Sequence, residues 1–597
     1  MLHQWLALPK TFVGFATLWL PCLAMAAPVA PSQVQIPSLA FDDQSVVVTW
    51  QVPTDIRHIR DYQIIENGKV IATAQANNAT YAASAPYIKA FYQQDSDHFA
   101  TPIVWQSATI TGLLPKHHYQ FAVQTIDDKG EISPLSQSVT VTTTARPTTL
   151  SVKSYGALGD GNTLDTSAIQ KAINACPKNC KLVIPAGTYR TGALFLKSDM
   201  TLYLAKGATL LGSSRAQDYP PIYKLYPYSK TMRPASLINA IDPNHHVAGT
   251  FKNIRIVGQG TIDGNGWKTV TKTYTDTLGQ MQPHYPFSGR ERYQRDGILA
   301  KNQVDQALKN GMSLHLAYGQ MRSSLMTLRG VDHLYISGIT IKNPAYHGLM
   351  VLTSRHIVIN SIYAQTYDAN NGDGVELGNS QDAQIFNSYF DTGDDSINFA
   401  AGTGKLAKSQ PKTEQVQIFN DFFHHGHGAV VLGSHTGAGI ANISAQNSVV
   451  DGSNIGLRIK STTSIGGSVQ NISFNNIAMK NVSQNALTVT LKYSDPNASI
   501  DYPAATVPVS IGHIQMNHVS MDTITGNDPS INIQGEKQHA IWYDAIDLND
   551  VKLRRVSAAF IEDLKNSNFT DVRFSNSKQP WHVQHVHNVT INGHLMN

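Results

Sequence analysis

Residues 354–400 read SRHIVINSIYAQTYDANNGDGVELGNSQDAQIFNSYFDTGDDSINFA, and this stretch decides the fold. Short apolar-x-apolar runs recur in it, such as Ile357 to Ile359, and most are followed by Asn or Gly. β-branched residues favour strands, whereas Asn and Gly favour turns. The stretch therefore predicts short strands that alternate with polar turns.

The same run returns along most of the chain beyond residue 150. Ile336 and Ile359 are 23 residues apart, Ile359 and Ile385 are 26 apart, and Ile418 and Ala445 are 27 apart. One short strand plus turns, repeated every 20–30 residues or so, is typical of a solenoid. Helical repeats are disfavoured by the β-branched strands, and the Leu/Asn signature of a leucine-rich repeat is missing. We therefore predict an all-β chain built on a right-handed parallel β-helix.

The predicted solenoid domain spans residues 150–597, and its first part departs from the strand pattern. Residues 166–175 have helical spacing, and a helix there would cap the open end of the solenoid core. Cys176 and Cys180 follow it, four residues apart. In an exported chain this spacing predicts a local disulfide. A metal site would need two more ligands nearby, and none is evident.

A different β pattern occupies residues 31–145. Short β-rich runs such as Val46 to Trp50 are separated by turns, and residues 66–69 form the turn Glu-Asn-Gly-Lys. Leu114 and Tyr119 fit the tyrosine corner of Greek-key sandwiches. The segment resembles a fibronectin type III domain, which implies a β-sandwich. Residues 140–149 are predicted to be a short linker.

Composition and the first segment bound the cellular context. The chain has 597 residues, 46 Lys+Arg against 42 Asp+Glu, and a net charge of +4, which is too small to indicate nucleic acid. Residues 1–26 hold Lys10 but no acidic residue, then an apolar stretch and a small-residue end, as in a signal peptide. No later stretch is apolar enough to cross a membrane. We expect a secreted or periplasmic protein with no membrane contact after signal cleavage.

Four short motifs fall on consecutive repeats within 90 residues. Ile385 to Asp394 is nine residues, and Ile418 to His427 is also nine. Equal offsets on successive coils stack side chains at about 4.8 Å. Each motif alone is more often a turn, a loop or an exposed strand, but four in order at one phase indicate a site. The motifs are Asn371-Gly-Asp373-Gly374, Gly393-Asp394-Asp395, Gly426-His427-Gly428 and Arg458-Ile459-Lys460.

Three carboxylates, a histidine and two cations thus converge on one wall. The strands after Asp373 and Asp395 align, which places both in one column, and Arg458 and Lys460 share a strand face. Cleavage of a glycosidic bond needs a protonated carboxyl for the leaving oxygen and an ionised carboxylate to activate water. Crowding raises one carboxyl pKa and supplies the acid. Arg and Lys suit a carboxylate on the substrate.

This order of motifs on a β-helix resembles glycoside hydrolase family 28, the polygalacturonases. Gly372 departs from the family, which most often has Thr there. The resemblance covers about residues 150–597. It continues in the first coils, at residues 155–161, 165–170, 185–189 and 258–267.

The resemblance implies inverting hydrolysis of α-1,4-galacturonosidic bonds in polygalacturonate. Asp394 would be the general acid, and Asp373 and Asp395 would together activate the water. His427 would hold a carboxylate and the hydrogen-bond network in place. Inversion predicts carboxyl groups about 6.5–9.5 Å apart, rather than about 5 Å. Residues expected to contact substrate are Arg458 and Lys460, which would grip a galacturonate carboxylate, and the candidates Asn371, Tyr493, Lys492 and His435.

About 55 residues separate Trp267 from Arg322, more than a plain coil needs. Basic and aromatic side chains in this insertion suit uronate rings and carboxylates. Either the insertion is a surface excursion without a role in binding, or it lies beside the cleft, closes one end and leaves a pocket for a chain terminus. With the fibronectin-like domain it resembles exo-acting bacterial members of the family, so we predict release of the dimer. The side chains are Tyr274, His284, Tyr285, Phe287, Arg290, Arg292, Tyr293, Arg295 and Lys301.

Several alternatives remain open from the sequence. An endo-polygalacturonase or a rhamnogalacturonan hydrolase would share the family, and a pectate lyase would share the β-helix but use calcium and a basic Arg or Lys. A carbohydrate-binding β-helix without catalysis would lack the carboxylate column. We expect no cofactor and no metal, pectin oligosaccharides as the binding partner, no nucleic acid, and a monomer.

Overall fold

The computed structural model describes residues 27–596, except 271–273, 287–288, 495–501, 537–540, 576 and 578–579. The predicted signal peptide, residues 1–26, lies outside the described residues. Within the part of the chain that is described, no helix is long and apolar enough to span a membrane.

One sheet system of 33 strands dominates the structure, and nearly all of its neighbouring strands run parallel. Each coil contributes up to three strands, and each strand pairs with the equivalent strands one coil before and after it. This arrangement confirms the predicted parallel β-helix. The coils form three sheets that run along the solenoid.

The first sheet contains Thr148–Ser151, Cys180–Ile184, Met200–Leu204, Phe251–Gly258, Val331–Ser337, Arg355–Asn360, Gln381–Phe386, Thr413–Phe419, Ile440–Asp451, Ser468–Val482, Ser510–Ile524, Tyr543–Arg554 and Trp581–Ile591. The second contains Asp160–Leu164, Gly187–Thr191, Ala208–Gly212, Thr261–Asp263, Thr340–Lys342, Tyr363–Gln365, Tyr389–Thr392 and Phe422–His425. It continues in the second halves of the long strands Ile440–Asp451, Ser468–Val482, Ser510–Ile524 and Tyr543–Arg554. The third contains Leu194–Phe195, Ile238–Ala240, Met326–Arg329, Leu349–Leu352, Val375–Gly378, Ile397–Ala400, Val430–Leu432, Ile455–Lys460, Asn485–Thr490, Ile531–Gln534 and Ala559–Phe574, whose second half joins the first sheet. His594–Met596 closes the last coil as a hairpin.

The sequence pattern explains the coil. Ile357 and Ile359 point into the core, where they stack on equivalent residues of the neighbouring coils. The Asn residues after the first-sheet strands have a left-handed backbone, which Asn tolerates better than most residues. Asn387 and Asn420 show this, with φ of 58° at each. These turns let the chain leave one sheet and enter the next.

A helix closes the first coil, as predicted. It spans Thr166–Ala175 and buries Ile169, Ala172 and Ile173 against the core. Cys176 and Cys180 follow it and form a disulfide, with their Cα atoms 5.7 Å apart. The remaining helices are Ala74–Tyr81, Ala85–Gln93, Val152–Tyr155, Ala216–Asp218, Tyr293–Asp296, Leu299–Lys309, Leu314–Gln320 and Lys405–Ser409.

The first domain is a two-sheet sandwich with the predicted tyrosine corner, in which the Leu114 amide donates to the Tyr119 hydroxyl at 2.9 Å. Trp50 lies in its core against Tyr62. The predicted linker is shorter than expected, because strands take residues at both of its ends and leave residues 143–147. One sheet contains Ser32–Gln35, Ser45–Gln51 and Ser107–Thr111, and the other contains Ile59–Glu66, Lys69–Thr73, His118–Asp127 and Val139–Thr142.

Two helices inside this domain, Ala74–Tyr81 and Ala85–Gln93, were not predicted from its β-rich pattern. The second helix packs on the outer face of the solenoid. Tyr87 stacks on Tyr389 with ring centroids 4.1 Å apart, and Phe91 is buried in the same apolar cluster. The sandwich is therefore fixed to the coils that carry the predicted site.

Tyr87 also donates a 2.9 Å hydrogen bond to Asp276 of the insertion. We expect Tyr87→Phe to lower the free energy of unfolding by about 1–3 kcal/mol, because a buried carboxylate loses a donor. Tyr81→Phe is the matched control, since Tyr81 is exposed and its hydroxyl lies 3.0 Å from the hydroxyl of Thr111. Chemical denaturation of both variants tests this, and equal losses would contradict a locking role for Tyr87.

Candidate active site

The three predicted carboxylates meet beside the third sheet. Val375 pairs with Ile397, so Asp373 and Asp395 lie in one column, as the residue count predicted. One carboxylate oxygen from each of Asp373, Asp394 and Asp395 lies within 4.8 Å of the other two. These oxygens are closer than the 6.5–9.5 Å or so expected of an inverting pair. The expected spacing is therefore wrong for them, because Asp394 and Asp395 are chain neighbours and Asp373 stacks one coil away.

Asp394 is held by two side chains. His427 Nδ1 lies 3.0 Å from Asp394 Oδ1, and Asn371 donates to Asp394 Oδ2 at 3.3 Å. The register explains the first contact, since Ile385 pairs with Ile418 and the equal nine-residue offsets bring the two side chains together. Asp394 is the most exposed of the three carboxylates, at 17% of its side chain.

Both predicted cations lie on Asp395. Lys460 Nζ is 2.9 Å from Asp395 Oδ2, and Arg458 Nη1 is 4.0 Å from Oδ1. Asn398 donates to Oδ2 at 2.8 Å. Oδ1 is buried and accepts no hydrogen bond from the residues that the structure describes. Asp395 is thus paired with Lys460 and Asn398 through Oδ2, and Oδ1 stays available as an acceptor.

His347 and Glu376 extend the cluster, and neither was predicted from the sequence. His347 Nδ1 lies 2.6 Å from Asp373 Oδ1, and its Nε2 lies 3.6 Å from Glu376 Oε2. His347 could have been found by counting residues back from the strands that align on neighbouring coils. Leu349 pairs with Val375, so His347 occupies the position of Asp373 on the preceding coil.

The carboxyl group whose pKa is raised is not the one that we predicted. Burial and the negative charges of Asp394 and Asp395 raise the pKa of Asp373 well above its usual value. Burial also acts to raise the pKa of Asp394, but the charges of His427 and Lys460 outweigh it and lower that pKa. The carboxyl with the raised pKa is therefore Asp373, whereas we expected the predicted acid Asp394 to have it. The cause is the direct His427 contact.

The pairing of His427 predicts a pH dependence of stability. The Asp394 charge raises the pKa of His427 from 6.5 to about 9, and burial opposes it. The pair thus stabilises the fold fully below pH 6.5, and this contribution is lost as the pH rises through about 9. We expect His427→Gln to flatten the fall in the free energy of unfolding across this window. Denaturation series of the wild type, His427→Gln and the surface control His518→Gln measure it, and parallel wild-type and His427→Gln curves would contradict it.

A cavity of about 260 Å³ opens over the carboxylates. Of the predicted residues, it is lined by Asn371, Asp373, Asp394, Asp395, Lys460, Tyr493 and His435. His427 and Arg458 contact the carboxylates without lining it. The Tyr493 ring lies 4.8 Å from Lys460 Nζ, and His435 Nδ1 lies 2.8 Å from the Tyr226 hydroxyl. Lys492 does not reach the cavity and lies 3.5 Å from Glu562 instead.

The part of the insertion that lines the cavity differs from the predicted part. Its basic and aromatic side chains within the described ranges do not line the cavity, and Arg290, Arg292 and Arg295 are exposed. Phe287 lies outside the described residues. Arg295 pairs with Asp296 at 2.5 Å, His284 with Asp368 at 2.6 Å, and Tyr285 is buried. Gln320, at the end of the last insertion helix, lines the cavity. These acidic partners could not be predicted from the types of side chain in the insertion alone.

Two clusters hold the ligand types of a metal site, and both already contain a cation. Lys460 and His427 lie on the carboxylates of the first cluster. In the second, Asp332 meets His333, His356 and Arg355. Charge in both places is therefore partly balanced by the side chains themselves.

A crowded carboxylate cluster with one raised and one lowered pKa, on the wall of a β-helix, fits the acid and base that a glycoside hydrolase needs. The family model for glycosyl hydrolases family 28 matches residues 307–559, one for rhamnogalacturonase A/epimerase, pectate lyase-like proteins matches 149–376, and the fibronectin type III model matches 29–142. An exo-poly-α-D-galacturonosidase of Dickeya chrysanthemi is 51% identical over 96% of this chain and 95% of its own length. A Yersinia enterocolitica family 28 exopolygalacturonase structure is 48% identical, with a TM-score of 0.93, and covers 95% of this chain and 100% of that one. The chain belongs to glycosyl hydrolase family 28.

Proposed function

We propose that this enzyme hydrolyses α-1,4-galacturonosidic bonds of polygalacturonate from a chain end and releases digalacturonate. The observation that carries the proposal is the carboxylate cluster, in which Asp373, Asp394 and Asp395 meet within 4.8 Å beside Lys460, Arg458 and His427. The names of the Dickeya and Yersinia relatives support the substrate and the exo action.

The proposed chemistry uses the proton shared by His427 and Asp394. Asp394 is the most accessible carboxyl, and it would deliver this proton to the glycosidic oxygen as the bond breaks. Asp395, paired with Lys460, would accept a proton from the attacking water through its available Oδ1. Asp373 would hold that water together with Asp395. Its raised pKa also makes it the rival proton donor.

Substrate contacts follow from the cavity lining. Asn371 and Tyr493 are proposed to contact the sugar rings, and Arg458 and Lys460 to meet a galacturonate carboxylate next to the scissile bond. Since both cations lie on Asp395 in this structure, substrate would share them with that carboxylate. No metal or cofactor takes part in these steps.

The domain organisation is also proposed. Residues 1–26 would be a cleaved signal that sends the protein to the periplasm or the exterior. Residues 31–145 would form the sandwich and residues 150–597 the catalytic β-helix, working as a monomer. Mass spectrometry of the exported chain tests the cleavage by identifying the first residue. Light scattering tests the monomer by measuring the mass in solution.

Reducing-end release from polygalacturonate tests the reaction. We expect new reducing ends, no unsaturated product absorbing in the ultraviolet, and activity that survives a chelator. Rhamnogalacturonan is run beside it as the rival substrate. An unsaturated product, loss of activity with the chelator, or preference for rhamnogalacturonan would overturn the proposal.

A further inference from the structure

Two arginines, Arg233 and Arg322, lie over the ring of Tyr346, which lines the cavity. Arg322 is held by hydrogen bonds within the protein. Arg322 is buried, and its guanidinium donates to the Tyr318 carbonyl at 2.7 Å and to Asn371 Oδ1 at 2.6 Å. It also donates to the Asn370 carbonyl at 3.1 Å. Arg322 therefore positions the turn that carries Asn371.

The other arginine, Arg233, lines the cavity. It belongs to an excursion from the coil, in which Arg233–Pro234 pairs with Pro221–Tyr223. Its guanidinium lies 5.6 Å from the centre of the Tyr346 ring. Among the residues that the structure describes, no carboxylate lies within ion-pair distance of it, whereas Lys460 contacts Asp395 at 2.9 Å. Its guanidinium hydrogen-bonds the Tyr346 side chain, and its charge interacts with that of Glu376 at longer range. Arg233 is therefore a cavity cation that no carboxylate of the described residues pairs with directly.

The order of the coils places Arg233 on one side of the carboxylates. Tyr346 precedes Leu349–Leu352, and Asp395 precedes Ile397–Ala400, two coils later in the third sheet. At the strand spacing this is about 10 Å along the solenoid axis. Lys460 lies on Ile455–Lys460, two coils further in the same direction. Cations thus flank the carboxylates from both sides.

We propose that Arg233 binds the carboxylate of a galacturonate unit on the side of the scissile bond opposite Arg458 and Lys460. The proposal rests on the proposed function and names a specificity residue for it. A guanidinium suits this task because its planar fork matches both carboxylate oxygens. Tyr226 and Tyr346 line the cavity near it and offer ring faces to the sugar. The enzyme should therefore select a free acid over a methyl ester at this unit.

Galacturonate oligomers of one defined length, as free acids and as methyl esters, test this with full-length Arg233→Gln. We expect KM for the free acid to rise about 10- to 150-fold, with kcat within about threefold, because a charged hydrogen bond is lost. The ratio of kcat/KM for acid over ester should fall by a similar factor. Arg215→Gln is the matched control in the same excursion, where Arg215 pairs with Asp218, and its ratio should match the wild type.

The outcomes separate the two proposals. If the wild type hydrolyses polygalacturonate but Arg233→Gln keeps the wild-type acid/ester ratio, the role of Arg233 is wrong and the proposed function stands. If the wild type forms no reducing ends, the proposed function fails. If Arg233→Gln does not fold, the acid/ester ratio of kcat/KM is measured with Arg233→Lys instead. Loss of the fork should lower the ratio about fivefold or more, and an unchanged ratio would overturn the role of Arg233.

Discussion

Replacing Asp394 with Asn is expected to lower kcat on polygalacturonate by about 10²- to 10⁴-fold, the usual contribution of a positioned proton donor. The amide cannot donate as an acid, and it also removes the charge that His427 meets at 3.0 Å. Circular dichroism should show an unchanged fold, since Asp394 lines the cavity rather than the solenoid core. A folded variant with near wild-type hydrolysis would contradict the assignment of Asp394.

The raised pKa of Asp373 makes Asp373→Asn the informative companion. Loss of a proton donor matters less when the leaving group needs no proton, whereas loss of a water-activating base matters equally for both leaving groups. An aryl galacturonide with a good leaving group should therefore restore much of the activity of Asp394→Asn and little of that of Asp373→Asn. The reverse pattern would make Asp373 the acid.

Replacing Lys460 with Met is expected to destabilise the protein by about 3–5 kcal/mol, because it leaves the buried Asp395 without its closest cation. The Lys460 side chain is only 7% exposed and its Nζ lies 2.9 Å from Asp395 Oδ2. Activity should fall by about 10²-fold or more, since the proposed base Asp395 loses the contact that positions its carboxylate. Chemical denaturation and initial rates measure the two effects.

Lys301→Met is the control for this prediction. Lys301 forms an ion pair with Asp305 one helical turn away, on the insertion, and it does not line the cavity. Both side chains remain partly accessible to solvent, at 34% and 25%, and ion pairs one turn apart on a helix surface contribute about 1 kcal/mol or less. Equal destabilisation by Lys460→Met and Lys301→Met would contradict the view that Lys460 stabilises the buried carboxylate of Asp395.

Much of the solenoid was predictable because its period is local. The apolar-x-apolar run and the Asn turns repeat in the sequence, and the register of Val375 with Ile397 follows from counting. The same count placed Asp394 beside His427. It would also have found His347, which occupies the column of Asp373 one coil earlier.

What sequence could not predict depends on contacts between distant segments. Arg233 reaches the cavity from an excursion more than 100 residues before Asp373, with no motif around it. The insertion was expected to offer its basic residues to substrate, but pairs such as Arg295 with Asp296 use them within the protein. The carboxyl that retains a proton depends on burial and on neighbouring charges, which no residue spacing shows.

The sizes of the first products from polygalacturonate test the central claim most directly. The full-length enzyme is incubated with long-chain substrate, and oligomers are separated at early times while viscosity is followed. We predict digalacturonate as the main product from the earliest time point, with viscosity falling slowly relative to the reducing ends formed. A rapid fall in viscosity with mixed longer oligomers would contradict the account.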